Sequence, residues 1–207
     1  MIRMKNFEKI SKFLDAVNNL KKTYRYEASK TSDLLKESSA DHSWRLSLMV
    51  FLISDELKLD INKEHALKIA IVHDLAESIC GDVDSRLIAD GKVTKEEKKK
   101  NEMESIEKLR NMLPENLGKN IYDLFMEYED ASTKEARFIK ALDKIECLMH
   151  ITEKGHKAID APDVIAPYAD KAVENFPELM KIKKAVKAKL KQEFINGGFE
   201  WKEEYGD

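Results

Sequence analysis

Hydrophobic residues recur along this chain at the spacing of helices. Between residues 7 and 20 they fall at i, i+3 and i+4 intervals, which predicts an amphipathic helix. Segments 39–57 and 62–76 are apolar around most of a helical circumference, a pattern typical of buried helices. The pattern therefore predicts an all-α fold, with irregular chain over 24–39 and an Asp-rich loop over 80–93.

Capping residues and prolines divide the second half of the chain. Thr94 followed by Glu97 is a capping-box pattern, and Ser132 is expected to cap a long helix. Pro177 should interrupt the last helix because proline lacks the backbone N–H that a helix interior needs. The helices predicted here cover residues 94–112, 115–128, 133–154 and 168–195.

Composition agrees with one helical domain covering residues 1–207. Hydrophobic residues make up 43% and charged residues 36%, while the chain has only 7 Gly and 4 Pro. A formal net charge of −3 argues against a partner that is a nucleic-acid polymer, since such binders usually carry a basic excess. A small phosphate ligand stays possible because a bound metal supplies local positive charge.

Cysteine content and hydropathy predict a cytoplasmic protein. Cys80 and Cys147 are isolated and do not form a disulfide framework. No apolar run reaches the roughly 18 residues that a membrane-spanning helix needs. Residues 1–12 lack the apolar centre of a signal peptide. We therefore expect a reducing compartment and no membrane partner.

Three positions in the apolar helices carry side chains that do not suit a core. They are His42, the adjacent pair His73 and Asp74, and Asp143. Burying an ionised carboxylate without a partner costs several kcal/mol, roughly, so a shared cation would reconcile these groups. Four protein ligands leave about two positions of an octahedral shell open for water and substrate.

Each residue also has an ordinary structural explanation. A lone histidine such as His42 is more often a hydrogen-bonded core residue than a metal ligand. Asp143 could form a salt bridge with Arg45, Arg137 or Lys144. The joint pattern of His, His-Asp and Asp on three different predicted helices is what favours a metal site.

Three sequence blocks resemble a known family. Residues 37–45 read ESSADHSWR, similar to its block ESVADHSWR; residues 70–82 read AIVHDLAESICGD, similar to ALVHDLAEAIVGD; residues 142–146 read LDKIE, similar to LDKLE. The chain resembles the HD-domain superfamily of metal-dependent phosphohydrolases, and within it the branch of the 5′-deoxynucleotidases. The motif-bearing core covers about residues 20–151.

The resemblance implies a fold, a cofactor and an activity. It implies a single-domain helical bundle with one divalent transition-metal ion (Co, Mn, Zn, Fe or Ni) on His42, His73, Asp74 and Asp143. The implied activity is hydrolysis of deoxyribonucleoside 5′-monophosphates to deoxynucleoside and phosphate. Because members of the family are commonly dimers, a homodimer is implied too.

The same resemblance implies further active-site residues. Glu77 and Asp82 correspond to active-site carboxylates of the branch, although Glu77 could be an exposed helix-end residue and Asp82 a turn residue. Arg25 corresponds to an arginine that contacts phosphate, a role that suits the bidentate guanidinium. Here it is followed by Tyr26 and Glu27 instead of the usual Gly-Trp stretch, which puts base and sugar preference in doubt.

Two other interpretations stay open at this stage. An HD hydrolase could act on a deoxynucleoside triphosphate, guanosine tetraphosphate or a cyclic nucleotide. Alternatively, the protein could be a non-catalytic module that binds nucleotides with the help of a metal.

Overall fold

All regular secondary structure between residues 4 and 206, the part of the chain that the computed structural model describes, is helical, as predicted. The first half contains α1 (Met4–Val17), α2 (Ser32–Leu35), α3 (Ser39–Glu56), α4 (Lys63–Val72), α5 (Glu77–Cys80) and α6 (Ser85–Ala89). The second half contains α7 (Lys95–Met112), α8 (Glu115–Asp130), α9 (Lys134–Lys154), α10 (Pro162–Ile165), α11 (Asp170–Glu174) and α12 (Met180–Asn196). Short 3-10 helices cover Asn18–Lys21, His156–Ala158, Pro177–Leu179 and Glu203–Tyr205.

Helix α9 is the centre of the bundle. It packs against α3, α4, α8, α11 and α12. Its residues Leu142, Ile145 and Leu148 are completely buried, as are Ile69 of α4 and Leu46 of α3. Such burial is the main stabilising contribution to a fold of this size. It also places Asp143 of α9 inside the molecule, where an unpaired carboxylate would be destabilising.

Most of the predicted helix starts are confirmed by their caps. The Ser38 hydroxyl accepts from the backbone N–H of Asp41, and the Asp41 carboxylate accepts from the backbone N–H of Ser38. These two hydrogen bonds form a capping box at the start of α3. Thr94 and Glu97 form the predicted capping box of α7. The prediction that Ser132 caps α9 is wrong, because Thr133 accepts from the N–H of Ala136 instead.

Helix α3 is not buried on all sides, contrary to the expectation from its composition. Trp44 is 69% exposed and Phe51 52% exposed, and Leu48 and Leu52 are exposed as well. Only the opposite face of α3 packs on α4 and α9. Composition could not distinguish the two faces because both are apolar.

The helix predicted over 62–76 is shorter in the structure. It begins after Asn62, as expected, but ends at Val72, and residues 73–76 form a turn before α5. The loop predicted over 80–93 contains α6, which starts where the Asp84 carboxylate accepts from the N–H of Arg86. Gly81, with φ of +79°, ends α5 in a conformation that side chains rarely adopt. The chain therefore turns sharply just before Asp82.

The C-terminal segment packs onto the bundle. Its interruption at Pro177 is confirmed, where a 3-10 helix precedes α12. Beyond α12 the rings of Phe199, Trp201 and Tyr205 contact the ring of Phe194 edge-on. No helix between residues 4 and 206 has the length and apolar character needed to cross a bilayer.

Candidate metal centre and catalytic pocket

Three side chains from three helices converge at the centre of the bundle. Nε2 of His42, on α3, lies 3.3 Å from Nε2 of His73 at the end of α4 and 3.1 Å from Oδ1 of Asp143 on α9. All three residues are buried, and their ligand atoms fall within the separation that one ion could bridge.

Hydrogen bonds on the far sides of the two imidazoles determine what the rings present to the centre. Nδ1 of His73 donates to the carbonyl oxygen of Ala70 at 2.8 Å, and Nδ1 of His42 lies 2.5 Å from Oε2 of Glu146. In a neutral ring whose Nδ1 donates, Nε2 is an acceptor. Two nitrogen lone pairs and a carboxylate oxygen then face one another, an arrangement that only a cation or added protons can satisfy. The cluster therefore fits a divalent transition metal.

Asp74 extends this cluster toward the pocket. Its Oδ1 lies 3.2 Å from Nε2 of His73, and its Oδ2 lies 3.9 Å from Nε2 of His42. Because α4 ends at Val72, Asp74 lies in the following turn. Of the four residues that the sequence predicts as ligands, His42, His73 and Asp143 lie within reach of one ion, and Asp74 lies beside the two histidines.

Electrostatics keep the two carboxylates ionised. Burial by itself would raise their pKa values. Around Asp74 the charges of His73, His42 and Arg25 outweigh burial and lower its pKa. Around Asp143, Lys144 and His42 do the same. Without a metal ion, burial and Arg25 disfavour a charged His42, yet its bonds to Asp143 and Glu146 raise its pKa to about 9.

Arg25 reaches the site from the irregular segment before α2. Its Nη1 donates to Oδ2 of Asp74 at 3.3 Å, and its Nη2 donates to Sγ of Cys147 at 2.9 Å. Its Nε lies 3.6 Å from Oε2 of Glu37. A backbone hydrogen bond from Arg25 N to Glu37 O holds the segment in place. The guanidinium is therefore anchored beside the candidate ligands.

Glu77 is not the exposed helix-end residue that was one of its two interpretations. It is only 5% exposed, and its Oε2 accepts from the Ser39 hydroxyl at 2.6 Å. Burial, and then the charges of Asp74 and Asp82, raise its pKa well above the ordinary value for glutamate. A carboxylate with a raised pKa is a stronger base than an ordinary glutamate.

Asp82 lies directly after the turn at Gly81 and lines the same pocket as Glu77. Burial raises its pKa, with Arg25 opposing the shift and Asp74 adding to it. Two carboxyl groups with raised pKa values thus lie near the candidate ligand Asp74, whose own pKa is lowered. Contrasting pKa values of this kind are typical of catalytic acid–base groups.

These residues open onto a large pocket, which we call the catalytic pocket. It holds about 1840 Å³ of empty space including its mouth. Apart from Arg25 and the carboxylates already described, many of its lining side chains are cationic: Lys95, Lys98, Lys99, Arg137, Lys140, Lys144 and Lys171. Glu102 and Glu129 line the pocket as well, and Lys98 pairs with Glu102. Cationic groups still outnumber the carboxylates in this lining, which favours an anionic ligand.

Several residues of the site had no role predicted from sequence. Glu146 holds His42, and the Tyr128 hydroxyl donates to Oδ2 of Asp143 at 2.7 Å. Lys144 Nζ lies 2.9 Å from the same oxygen, one of the three pairings considered for Asp143. Glu146 lies three residues after Asp143 in the LDKIE block, so helical spacing could have indicated it. Tyr128 belongs to a different helix and carries no comparable signal.

Replacing Glu146 by glutamine should weaken metal binding. Glu146 is fully buried between His42 and Arg45, whose Nε lies 3.3 Å from Oε1. Loss of a carboxylate that orients a histidine ligand typically costs about 10- to 100-fold in metal affinity. Titration of the metal-free protein with Co²⁺, followed by visible absorption, measures this. The matched control is Glu153→Gln, which removes the exposed carboxylate on the other side of Arg45; equal affinities in both variants would contradict the role of Glu146.

Comparison with known proteins agrees with this geometry. Residues 17–180 match the HD domain family. The chain belongs to this family.

Among curated relatives, the 5′-deoxynucleotidase hdd1 of Schizosaccharomyces pombe is 40% identical over 70% of this chain and 72% of its own length. The human 5′-deoxynucleotidase HDDC2 is 37% identical over 68% of this chain and 66% of its own length. A "predicted metal-dependent phosphohydrolase" of Magnetospirillum magnetotacticum superposes with a TM-score of 0.76 at 22% identity, covering 96% of this chain and 99% of its own. This last likeness establishes the fold.

Proposed function

We propose that this protein is a metal-dependent 5′-deoxynucleotidase, which converts a deoxyribonucleoside 5′-monophosphate and water to deoxynucleoside and phosphate. The observation that carries the proposal is the convergence of His42, His73 and Asp143 beside Asp74 and the half-buried Arg25, in a pocket where cationic groups predominate. Relatives at 37–40% identity that carry the name 5′-deoxynucleotidase support this choice of substrate.

We propose His42, His73, Asp74 and Asp143 as ligands of a single divalent ion chosen from Co, Mn, Zn, Fe and Ni. Mixed imidazole and carboxylate ligands suit these metals. When bound, such an ion polarises a phosphate oxygen and lowers the pKa of a coordinated water. The Nδ1 hydrogen bonds to Ala70 and Glu146 keep both rings turned toward the ion.

The remaining residues bind the substrate and move protons. Arg25 binds phosphate oxygens through its guanidinium, which already lies 3.3 Å from the ligand Asp74. Glu77 accepts a proton from the attacking water, and Asp82 donates one to the leaving 5′-oxygen or hydrogen-bonds the sugar. The Ser39 hydroxyl fixes the orientation of the Glu77 carboxyl group.

A panel of nucleotides with phosphate release as the readout tests this function. The purified protein is supplied with each candidate metal and offered deoxy- and ribonucleoside 5′-monophosphates, deoxynucleoside triphosphates, guanosine tetraphosphate and cyclic nucleotides. We expect the highest kcat/KM for deoxynucleoside 5′-monophosphates. Preference for another member of the panel would assign a different HD hydrolase activity, and tight binding without phosphate release would indicate a non-catalytic module.

We also propose that the protein is a homodimer that uses the exposed face of α3. The apolar side chains Trp44, Leu48 and Phe51 are spaced by four and three residues, so they lie along one stripe of the helix. Exposed apolar stripes of this kind commonly mark protein–protein contacts. A cytoplasmic location is part of the same proposal, and it is supported by the free thiols of Cys80 and Cys147.

Replacing both Trp44 and Phe51 by lysine should convert the dimer to a monomer. Two charged side chains in the centre of an apolar interface would have to be desolvated, which disfavours association. Sedimentation equilibrium measures the molecular mass. Glu56→Lys, an exposed change at the end of the same helix, is the control. A double variant with the mass of the unaltered protein would exclude this face as the dimer contact.

A further inference from the structure

A second cavity shares part of its lining with the catalytic pocket, and we propose that it binds the nucleobase of the substrate. This inference rests on the proposed nucleotidase function. The cavity, which we call the side pocket, contains about 430 Å³ of empty space including its mouth. The two pockets share one wall, made of Arg25, Asp82, Val83, Ser85 and Tyr168.

The two pockets differ in the chemistry of their linings. Beyond the shared wall, the catalytic pocket is lined mainly by lysines and carboxylates. The side pocket is lined by the apolar side chains of Ile151, Val164 and Ile165 and by the ring of Tyr26. One pocket therefore suits an ion, whereas the other suits a flat, neutral group with a few polar atoms.

Two of the charged groups of the side pocket, Asp84 and Arg86, are paired with each other. Arg86 donates from Nη1 to Asp84 at 3.3 Å, and from Nε and Nη2 to Asp160 at 3.0 and 2.7 Å. Asp160 also accepts from the Ser29 hydroxyl at 2.9 Å. This network joins residues 25–29 to the loop after Asp82 and pairs the charges of Asp84 and Arg86. The charged groups of the side pocket outside this network, Arg25 and Asp82, lie on the wall that it shares with the catalytic pocket.

Tyr26 supplies a polar atom that lacks a partner. The residue is 8% exposed, and its hydroxyl makes no hydrogen bond to any residue that the structure describes. Its ring stacks on the ring of His150, and its φ is +61°, an unusual value for a residue other than glycine. A buried hydroxyl without a partner is destabilising, and a polar base edge could satisfy it.

A nucleoside monophosphate has an anionic phosphate and a flat, neutral base, and these two parts match the linings of the two pockets. Its dianionic phosphate belongs with Arg25 of the shared wall and with His73, Asp74 and Asp143, which line the catalytic pocket. The sugar would then lie at Asp82 on that wall, and the neutral base would extend into the side pocket. The alternative position for the base is the far wall of the catalytic pocket, near Ile88.

The test compares dAMP with 2-deoxyribose 5-phosphate, which has the same phosphate and sugar but no base. The readout is the ratio of the two kcat/KM values, because partial loss of folded protein lowers both equally. Val164→Phe fills the side pocket and should lower the ratio about tenfold, the loss equivalent to roughly 1.4 kcal/mol of base binding. Tyr26→Phe removes only the hydroxyl and should lower the ratio in the same direction. If Val164→Phe fails to fold, the Tyr26→Phe variant still tests the proposal.

Ile88→Phe on the far wall of the catalytic pocket is the matched control and should leave the ratio unaltered. A ratio that falls in Ile88→Phe and stays constant in the two side-pocket variants would overturn the proposal. An unaltered protein that hydrolyses both compounds equally well would also overturn it, while leaving the nucleotidase function intact. If neither compound releases phosphate, the proposed nucleotidase function is wrong, but the side-pocket proposal is not yet decided. Equilibrium dialysis of both compounds with the same variants then decides the side pocket.

Discussion

Asp74→Ala is expected to abolish both metal content and phosphate release. Asp74 is the candidate ligand that joins the histidine pair to Arg25, with contacts of 3.2 and 3.3 Å. Its removal deletes a negative charge from the candidate ion site and the carboxylate that accepts from the guanidinium of Arg25. The loss should exceed the roughly 100-fold that follows removal of a residue which merely orients a ligand. Elemental analysis of the purified variant and phosphate release from dAMP are the measurements.

The control for Asp74→Ala is Asp41→Ala. Asp41 is adjacent to His42 in sequence, but its carboxylate is exposed and accepts from Ser38 in the capping box of α3. This variant should lose about 1 kcal/mol of stability and keep its metal. An Asp74→Ala protein with full metal content and full activity would refute the ligand assignment.

Glu77→Gln is expected to keep the metal and lose the reaction rate. Glutamine preserves the size of the side chain and can still accept from the Ser39 hydroxyl, but it cannot take up a proton from water. The absence of a general base or acid typically costs about 10²- to 10⁴-fold in rate. The loss should therefore appear in kcat, with KM and metal content close to those of the unaltered protein.

Ser39→Ala separates the chemical role of Glu77 from its structural one. This variant removes the 2.6 Å hydrogen bond and leaves the carboxyl group in place. It should reduce kcat less than Glu77→Gln does. If Glu77→Gln retained the full rate together with its metal, Glu77 would be a structural residue, and Asp82 would be left as the candidate for both proton transfers.

The raised pKa of Glu77 could not be derived from its position in sequence. Three residues beyond Asp74, it could equally have been exposed. In the structure the chain turns at residues 73–76, so α5 packs against α7 and against the 3-10 helix Asn18–Lys21, which buries Glu77. Burial then raises its pKa. The shift is a property of packing between distant segments.

The exposure of one face of α3 was likewise decided by tertiary packing and not by local sequence. Trp44, Leu48 and Phe51 are as hydrophobic as the residues on the opposite face, and the sequence pattern predicted that all of them are buried. Helices α4 and α9 cover one side of α3 and leave the other side open. Which side is covered depends on helix–helix packing, for which the sequence of α3 alone contains no signal.

The sequence by itself determined the all-α fold, most of the helix starts and the identity of the four candidate metal ligands. Helical periodicity and capping boxes act within a few residues, so a local pattern is sufficient to predict them. His42, His73, Asp74 and Asp143 were conspicuous because each is a polar residue in an apolar segment. Tertiary structure alone decided that these residues meet, that Glu146 and Tyr128 hold two of them, and that Arg25 lies between Asp74 and Cys147. Those contacts join residues up to 122 positions apart, and their geometry exists only once the helices have packed.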